Sequence, residues 1–346
     1  MAGLYFHIPF CRRICAYCDF FRSAELKWLP AAVQAMHTET DEQRDFLCDS
    51  NIRTIYFGGG TPSLVEPSQV QLLIDHAARL WEGSQGGEIT LEANPDDIPP
   101  EYVAALRSTD VNRVSLGVQS FDDEELRFMN RRHSAADAVA AVRRLQDAGI
   151  ENITIDLIFG VDGFGEQVLD RSLAQALELD VQHVSAYHLT IEQHTAFHRR
   201  LTEAGYEHYE VSNFAREGYR AQHNSSYWHG EEYLGIGTGA HSFNGRVRRW
   251  SQQPVAEYIA ERRYEEEFLS EQDHRNERVK TALRCAEGID LEAFESRFGA
   301  VAKEQILQAA KPWIAQGDVV VSERRMRIPT ERFLISDAVI ESLFEV

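Results

Sequence analysis

The sequence has few cysteines, and their distribution excludes a framework of disulfide bonds. Five cysteines occur among 346 residues, and Cys11, Cys15 and Cys18 lie within eight residues of each other. An odd and clustered set does not suit the paired cysteines of a small secreted domain. The clustered thiols therefore need another chemical explanation.

Long apolar runs are also missing. No stretch of about 18 apolar residues occurs, so we expect no transmembrane helix. The chain reaches strand-like residues at Leu4 without the charged and apolar regions of a signal peptide. We therefore expect a cytoplasmic protein in a reducing compartment.

Basic residues are outnumbered by acidic ones. There are 35 Lys and Arg against 55 Asp and Glu, which gives a formal net charge of −20. Nucleic-acid phosphates require a basic face, so the charge argues against a nucleic-acid partner. A protein with a net negative charge can still contain a local basic pocket.

The segment 5–21, YFHIPFCRRICAYCDFF, holds the three clustered cysteines just after a short apolar strand. Cysteines at this spacing can turn their thiolates toward one point, which suits a metal or an iron–sulfur cluster. A structural zinc site normally has a fourth Cys or His ligand, and the nearby candidate, His7, lies on the presumed strand. Three thiolates leave an open position where a cluster can bind a ligand.

The first half of the chain alternates between strand-like and helix-like stretches. Apolar residues recur at helical spacing in 70–80 and 138–145, with a stop predicted at Gly149. Six stretches rich in branched and aromatic residues are typical of strands. They are residues 4–7, 53–57, 88–93, 113–117, 152–158 and 183–188.

Alternating strands and helices predict an α/β fold with a parallel sheet, here a partial (β/α)6 barrel with its site at the carboxyl ends of the strands. Helix-like stretches at 255–263, 275–286, 291–297 and 301–315, followed by short strands, predict a C-terminal α+β winged-helix-like domain. We expect a barrel domain at 1–212, a connecting segment at 213–270 and a C-terminal domain at 271–346.

The C-x3-C-x2-C spacing, with Tyr17 before the last cysteine, resembles the radical S-adenosylmethionine (SAM) enzymes. The wider string of residues 5–21 is similar to one branch, the oxygen-independent coproporphyrinogen III oxidases and their heme-chaperone relatives. The resemblance implies a 4Fe-4S cluster held by Cys11, Cys15 and Cys18. It also implies that SAM binds at the fourth iron, within a partial barrel of six βα units.

The same resemblance implies a SAM pocket built from residues that follow several strands. They are Tyr5, Tyr17, Gly59, Gly60, Thr61, Glu92, Gln119, Arg131 and Asp156. Taken singly, several have a plain alternative: the GGGTP loop is a tight turn, Gln119 a hydrogen-bonded polar residue, Arg131 a solvated charge and Asp156 a strand-end cap. After Gly160 the sequence departs from the family's Pro-Gly turn.

The string His223-Asn224-Ser225-Ser226-Tyr227-Trp228 resembles the heme motif of the chaperone branch. An imidazole can ligate heme iron and aromatic rings can cover a macrocycle, so the resemblance implies heme contacts by His223, Tyr227 and Trp228. The alternative is two core aromatics and a helix cap. Five nearby arginines offer positive charge for propionates: Arg216, Arg220, Arg246, Arg248 and Arg249.

Two functions follow from the resemblance. The first is a heme chaperone, whose partners are heme and heme-accepting proteins, with membrane-associated acceptors among the candidates. The alternative is a coproporphyrinogen III oxidase or dehydrogenase, and a radical enzyme with another substrate ranks third. The oxidases carry a further cysteine where this chain has Phe20, and an arm before the first strand where only Met1 to Leu4 precede Tyr5. Both differences favour the chaperone.

Overall fold

Six parallel strands form the centre of the computed structural model, which describes residues 2–83, 86–188 and 194–345. The six predicted strands and the mixed α/β class are confirmed. The strands are β1 (Ala2–Ile8), β2 (Ile52–Gly59), β3 (Glu88–Ala93), β4 (Arg113–Gln119), β5 (Asn152–Phe159) and β6 (His183–His188). They pair in chain order, for example Phe6 with Phe57 across β1 and β2.

Helices cover the sheet between successive strands, as a parallel sheet requires. They are α1 (Leu29–Glu42), α2 (Pro67–Leu80), α3 (Pro100–Leu106), α4 (Asp123–Phe128), α5 (Ala135–Asp147), α6 (Glu166–Leu179) and α7 (His194–Glu203). Helix α5 begins at a capping box formed by Ser134 and Asp137 and ends just before Gly149. Its predicted apolar face, Ala138, Val142 and Leu145, is fully buried.

The sheet continues beyond both edges of the six central strands, which the sequence did not predict. The added strands are β7 (Glu207–Glu210), β8 (Asn213–Ala215), β9 (Glu232–Ile236), β10 (His241–Phe243), β11 (Val247–Trp250) and β12 (Glu265–Phe268), with helices α8 (Gln222–His229) and α9 (Val255–Ala260) among them. Strand β9 runs parallel to β1, and β10 to β12 follow it in antiparallel order. The sheet is therefore open.

Helices and a small sheet make up the C-terminal part of the chain. The elements are α10 (Glu271–Leu283), β13 (Ile289–Asp290), α11 (Leu291–Phe298), α12 (Ala300–Ala309), α13 (Lys311–Gln316), β14 (Val320–Val321), β15 (Arg325–Arg327) and α14 (Ser336–Ser342). The predicted helix over 301–315 is interrupted at Ala310, because Pro312 lacks an N–H and lies in the first turn of a new helix that begins at Lys311. No helix among the described residues is long and apolar enough to span a bilayer.

Two large hydrophobic cores and one small cluster occur among the described residues. Leu234, Ile236, Val255 and Tyr258 from the connecting segment belong to the same core as the central strands. The second core consists mainly of side chains from residue 279 onward. The domain limits 1–212, 213–270 and 271–346 remain a prediction. We propose that the main division between domains lies near residue 270.

Candidate cofactor cavities

The cysteine loop after β1 is held at its base and in its middle. The N–H of Cys11 donates to the carbonyl of Ser23 at 3.0 Å, which closes the base. The side-chain amide of Asn130 donates to the carbonyl of Ile14 at 2.7 Å, just beyond α4. Asn130 adopts a left-handed φ of 62°, which asparagine tolerates better than most residues. The loop is therefore positioned by the turn after α4.

A cavity of about 620 Å³ at the carboxyl ends of the central strands brings most of the predicted residues together. Its lining includes all three clustered cysteines and every predicted SAM residue except Tyr5. These residues are Cys11, Cys15, Cys18, Tyr17, Gly59, Gly60, Thr61, Glu92, Gln119, Arg131 and Asp156. Asn94, which follows β3, also lines the cavity; it was not among the residues predicted from the sequence, although its strand-end position matches theirs.

The three thiols fit an iron–sulfur cluster. All three are free, and burial raises the pKa of the Cys11 thiol, so its thiolate needs a cation. The Thr61 hydroxyl donates to the Cys11 sulfur and the Arg131 guanidinium to the Cys15 sulfur, each at 3.5 Å. Within the described ranges, no three His, Cys, Asp or Glu side chains are close enough to share one metal ion. A cluster places its thiolates on separate irons.

Arg131 is a half-buried side chain, not a solvated charge. Its guanidinium donates to Asn94 Oδ1 at 2.6 Å and to the carbonyl of Gly117 at 2.5 Å. Its Nε is buried and has no acceptor among the described residues. An unsatisfied buried donor beside a cavity fits an anionic or polar ligand.

Gln119 ends β4 in a strained conformation. Its φ is 67° and its side chain is buried, at a register shift between β4 and β5. A left-handed φ is unusual for glutamine, and such strain is common at ligand sites.

Two half-buried carboxyl groups face the cavity. Glu92 accepts hydrogen bonds from the Tyr56 hydroxyl at 2.7 Å and from the N–H of Gly59 at 3.1 Å. Burial, with the nearby Asp156 charge, raises the pKa of Glu92 to about 7. Burial also raises the pKa of Asp156 to about 6, although the Ser115 hydroxyl donates to it at 3.4 Å. Both groups would be stabilised as anions by a cationic ligand.

The glycines after β2 are explained by contacts inside the protein. Gly59 has a φ of +110°, and a Cβ there would lie 2.7 Å from the His7 ring. A Cβ at Gly60 would lie 2.7 Å from the carbonyl oxygen of Phe10. The tight approach of β1 and the cysteine loop requires these glycines whether or not a ligand is bound.

A second cavity, of about 920 Å³, lies between the end of α8, strands β9 to β11 and helices α10 and α11. Tyr227 and Trp228, two of the residues predicted to contact heme, line this cavity. Tyr5 also lines this cavity and not the cysteine cavity, because its ring lies above Tyr56 and His223. The contact of Tyr5 with SAM stays a prediction, and its ring lies at the second cavity. Asp19 and Phe20 line both cavities.

His223 does not line either cavity. It is 1% exposed, and its Nδ1 and Nε2 form hydrogen bonds of 2.8 Å with the Thr54 and Tyr227 hydroxyls. Its N–H donates to Glu88 at 3.0 Å, and burial lowers the pKa of the imidazole to about 3. The prediction that His223 ligates heme iron disagrees with this geometry, because both ring nitrogens already have partners.

Most of the arginines near the heme motif are neutralised. The acidic partners are Asp180 for Arg216, Glu207 and Glu287 for Arg220, Glu267 and Glu277 for Arg248, and Glu266 for Arg249. These four arginines do not supply the free positive charge expected for propionates.

The three-cysteine loop over a parallel sheet defines the class of a radical SAM protein. The chain matches the Radical SAM superfamily over residues 5–176 and the HemN C-terminal domain over residues 269–332. The fold resembles the solved structure of coproporphyrinogen III oxidase (HemN) from Escherichia coli, with a TM-score of 0.83 at 20% identity, over 99% of this chain and 90% of that one.

Proteins named heme chaperone HemW are similar in sequence. The chaperone of Lactococcus lactis is 36% identical over 322 residues, which are 85% of this chain and 84% of that protein. The one from Escherichia coli is 35% identical over 273 residues, 71% of this chain and 72% of that protein. The chain therefore belongs to the HemW family of the radical SAM superfamily, a membership that implies a 4Fe-4S cluster and SAM.

Proposed function

We propose that this protein is a cytoplasmic heme chaperone that binds heme and transfers it to acceptor proteins, membrane-associated ones included. The names of its relatives support this proposal. The single observation that carries it is the second cavity, which has the size of a cofactor site and is lined by Tyr227 and Trp228. Flat aromatic rings of this kind can cover a macrocycle.

The cysteine cavity is proposed as the cluster and SAM site of the same protein. Cys11, Cys15 and Cys18 would hold the cluster, which supplies one-electron chemistry and an open iron position when bound. Glu92 and Asp156 would attract the cationic groups of SAM, because both carboxyls lack an ion pair with a described Lys or Arg. Arg131 and Gln119 would position its polar groups.

Phe20 supports the chaperone over the oxidase. It occupies the position where the resemblance places a further cysteine in the oxidases, and its side chain is 67% exposed between the two cavities. An apolar ring at this position can contact a porphyrin but cannot donate a proton or an electron pair.

The test uses anaerobically reconstituted protein. We expect a heme titration to give a saturable Soret change, and heme loaded on this protein to reach an apo-cytochrome. We expect no conversion of coproporphyrinogen III to protoporphyrinogen IX with SAM and a reductant. Conversion without heme binding would identify an oxidase, and absence of both activities would reject either function.

A further inference from the structure

The imidazoles deep in the barrel are not available to an iron. His7 is 2% exposed; its Nδ1 accepts from the Tyr5 hydroxyl at 3.1 Å and its Nε2 donates to the carbonyl of Phe21 at 3.0 Å. Both ring nitrogens of His223 also have hydrogen-bond partners. If heme binds in the second cavity, an axial imidazole has to come from the cavity's accessible lining.

His241 on β10 is placed for this task. It is exposed and lines the cavity, and no ring nitrogen of His241 has a hydrogen-bond partner in the part of the chain that is described. Its ring packs nearly parallel to Trp250, with 5.9 Å between centroids and 20° between planes. This stacking orients the imidazole without using its nitrogens. Partial desolvation of the ring by its neighbours and the Arg248 charge lower its pKa, and the neutral imidazole is the ligand form.

The register of β10 and β11 places His241 on the same face of the ribbon as an aromatic ring that lines the cavity. His241 pairs with Trp250 and Phe243 pairs with Arg248 across β10 and β11. Directly paired residues of antiparallel strands project from the same face. One face of this ribbon therefore presents the imidazole and an apolar ring to the cavity, about 7 Å apart along the strand.

His274 on α10 and His229 at the end of α8 also line the cavity. Carboxylates lie in the electrostatic surroundings of both, Glu271 and Asp273 for His274 and Glu287 for His229, whereas the charged neighbour of His241 is the Arg248 guanidinium.

Arg278 supplies the missing positive charge. It lines the cavity from α10, is half-buried, and donates to the carbonyl of Trp228 at 3.4 Å. Among the described residues it forms no ion pair with a carboxylate, whereas Arg297 on α11 is paired with Glu271 at 2.7 Å. A half-buried cation without a counter-ion is costly, and an anionic ligand would offset that cost.

We infer that the second cavity binds an iron tetrapyrrole through His241 as the iron ligand and Arg278 as the partner of a ring carboxylate. This inference rests on the proposed function and replaces His223 as the source of the axial imidazole. Trp228 and Tyr227 then contact the ring without touching the iron.

The experiment compares heme with metal-free protoporphyrin IX on parent protein and variants. His241→Ala should weaken heme binding at least tenfold and shift the Soret band, with protoporphyrin IX affinity unchanged. His37→Ala on α1, the control at a histidine that lines neither cavity, should bind both like the parent. Unchanged heme binding and spectrum in His241→Ala would overturn the ligand assignment, as would an equal loss for both tetrapyrroles. A parent protein that binds no heme would instead reject the proposed function.

A second pair of ligands tests the carboxylate partner. Arg278→Gln should bind heme at least fivefold more weakly and heme dimethyl ester with parent affinity, since the ester has no carboxylate charge. Arg263→Gln, whose side chain is paired with Glu257 and lines neither cavity, should change neither. An equal loss for heme and its diester would show a structural effect and would overturn the role of Arg278. Circular dichroism of each variant checks that it is folded.

Discussion

Glu92 is a carboxyl whose hydrogen-bond donors are the Tyr56 hydroxyl and the Gly59 N–H, yet burial still raises its pKa to about 7. The two donors favour the ionised form, while desolvation and Asp156 oppose it. Because desolvation dominates, the fold holds a proton at this position that an unfolded glutamate would release near pH 4.3. A cationic ligand beside Glu92 would favour its ionised form and oppose this rise in its pKa.

Glu92→Gln should therefore change how stability depends on pH. A raised pKa gives stability that is complete below about pH 4.3 and is lost as the pH rises through about 7, up to about 4 kcal/mol. We expect urea unfolding of the cluster-free chain to show a smaller fall between pH 5 and 7 in Glu92→Gln than in the parent. Glu101→Gln, at an exposed position on α3, is the control. Equal slopes for parent and Glu92→Gln would contradict the raised pKa.

At the residue scale, the sequence indicated which side chains would lie together where a residue type at a strand end is constrained. The cysteine spacing and the polar residues after β2 to β5 converge on one cavity. The sequence did not indicate the orientation of His223, because a motif does not reveal which way a helix faces. Helix α8 turns His223 into the barrel and directs Trp228, more than one turn later, to the cavity.

At the scale of elements, the central strands were predictable because buried parallel strands are near-continuous apolar runs. The edge strands were not. Strand β12 contains Glu265, Glu266 and Glu267, a sequence that does not suggest a strand. It forms because Glu266 and Glu267 lie opposite Arg249 and Arg248 of β11, and paired opposite charges stabilise neighbouring strands. Helix α9 lies between β11 and β12 in the sequence, so the pairing of these strands is not visible in a local sequence pattern.

The junction of β1 and β2 gives a prediction for an element. Gly60→Ala would place a Cβ 2.7 Å from a backbone oxygen of Phe10, which cannot move without displacing the cysteine loop. We expect a loss of about 1–3 kcal/mol in unfolding free energy, and a lower iron content after reconstitution. Gly165→Ala before α6, where the added Cβ meets nothing within 4 Å, should keep parent iron content. Full iron loading in Gly60→Ala would refute this packing argument.

At the scale of the whole molecule, the second cavity is built from segments that are far apart in sequence. Tyr5 comes from β1, Trp228 from α8, His241 from β10 and Arg278 from α10. Sequence patterns predicted the barrel and the C-terminal domain separately, but the cavity between them depends on how they pack. His241 follows a glycine-rich loop and Arg278 lies on a helical face. Neither feature by itself predicts that the two side chains line one cavity.

The two cavities share one wall, formed by Asp19 and Phe20 directly after the cluster ligand Cys18. Phe20 leaves 67% of its surface exposed there, and a bound porphyrin would cover part of that apolar ring. We expect Phe20→Ala to weaken heme binding about tenfold, or about 1.4 kcal/mol, while iron content stays at the parent value. Phe268→Ala, which removes a ring that is 76% exposed on β12 and lines neither cavity, should leave heme affinity unchanged. Heme affinity that is the same in Phe20→Ala and Phe268→Ala would mean that this wall does not contact the porphyrin. Loss of iron together with heme would instead make Phe20 a support of the cysteine loop.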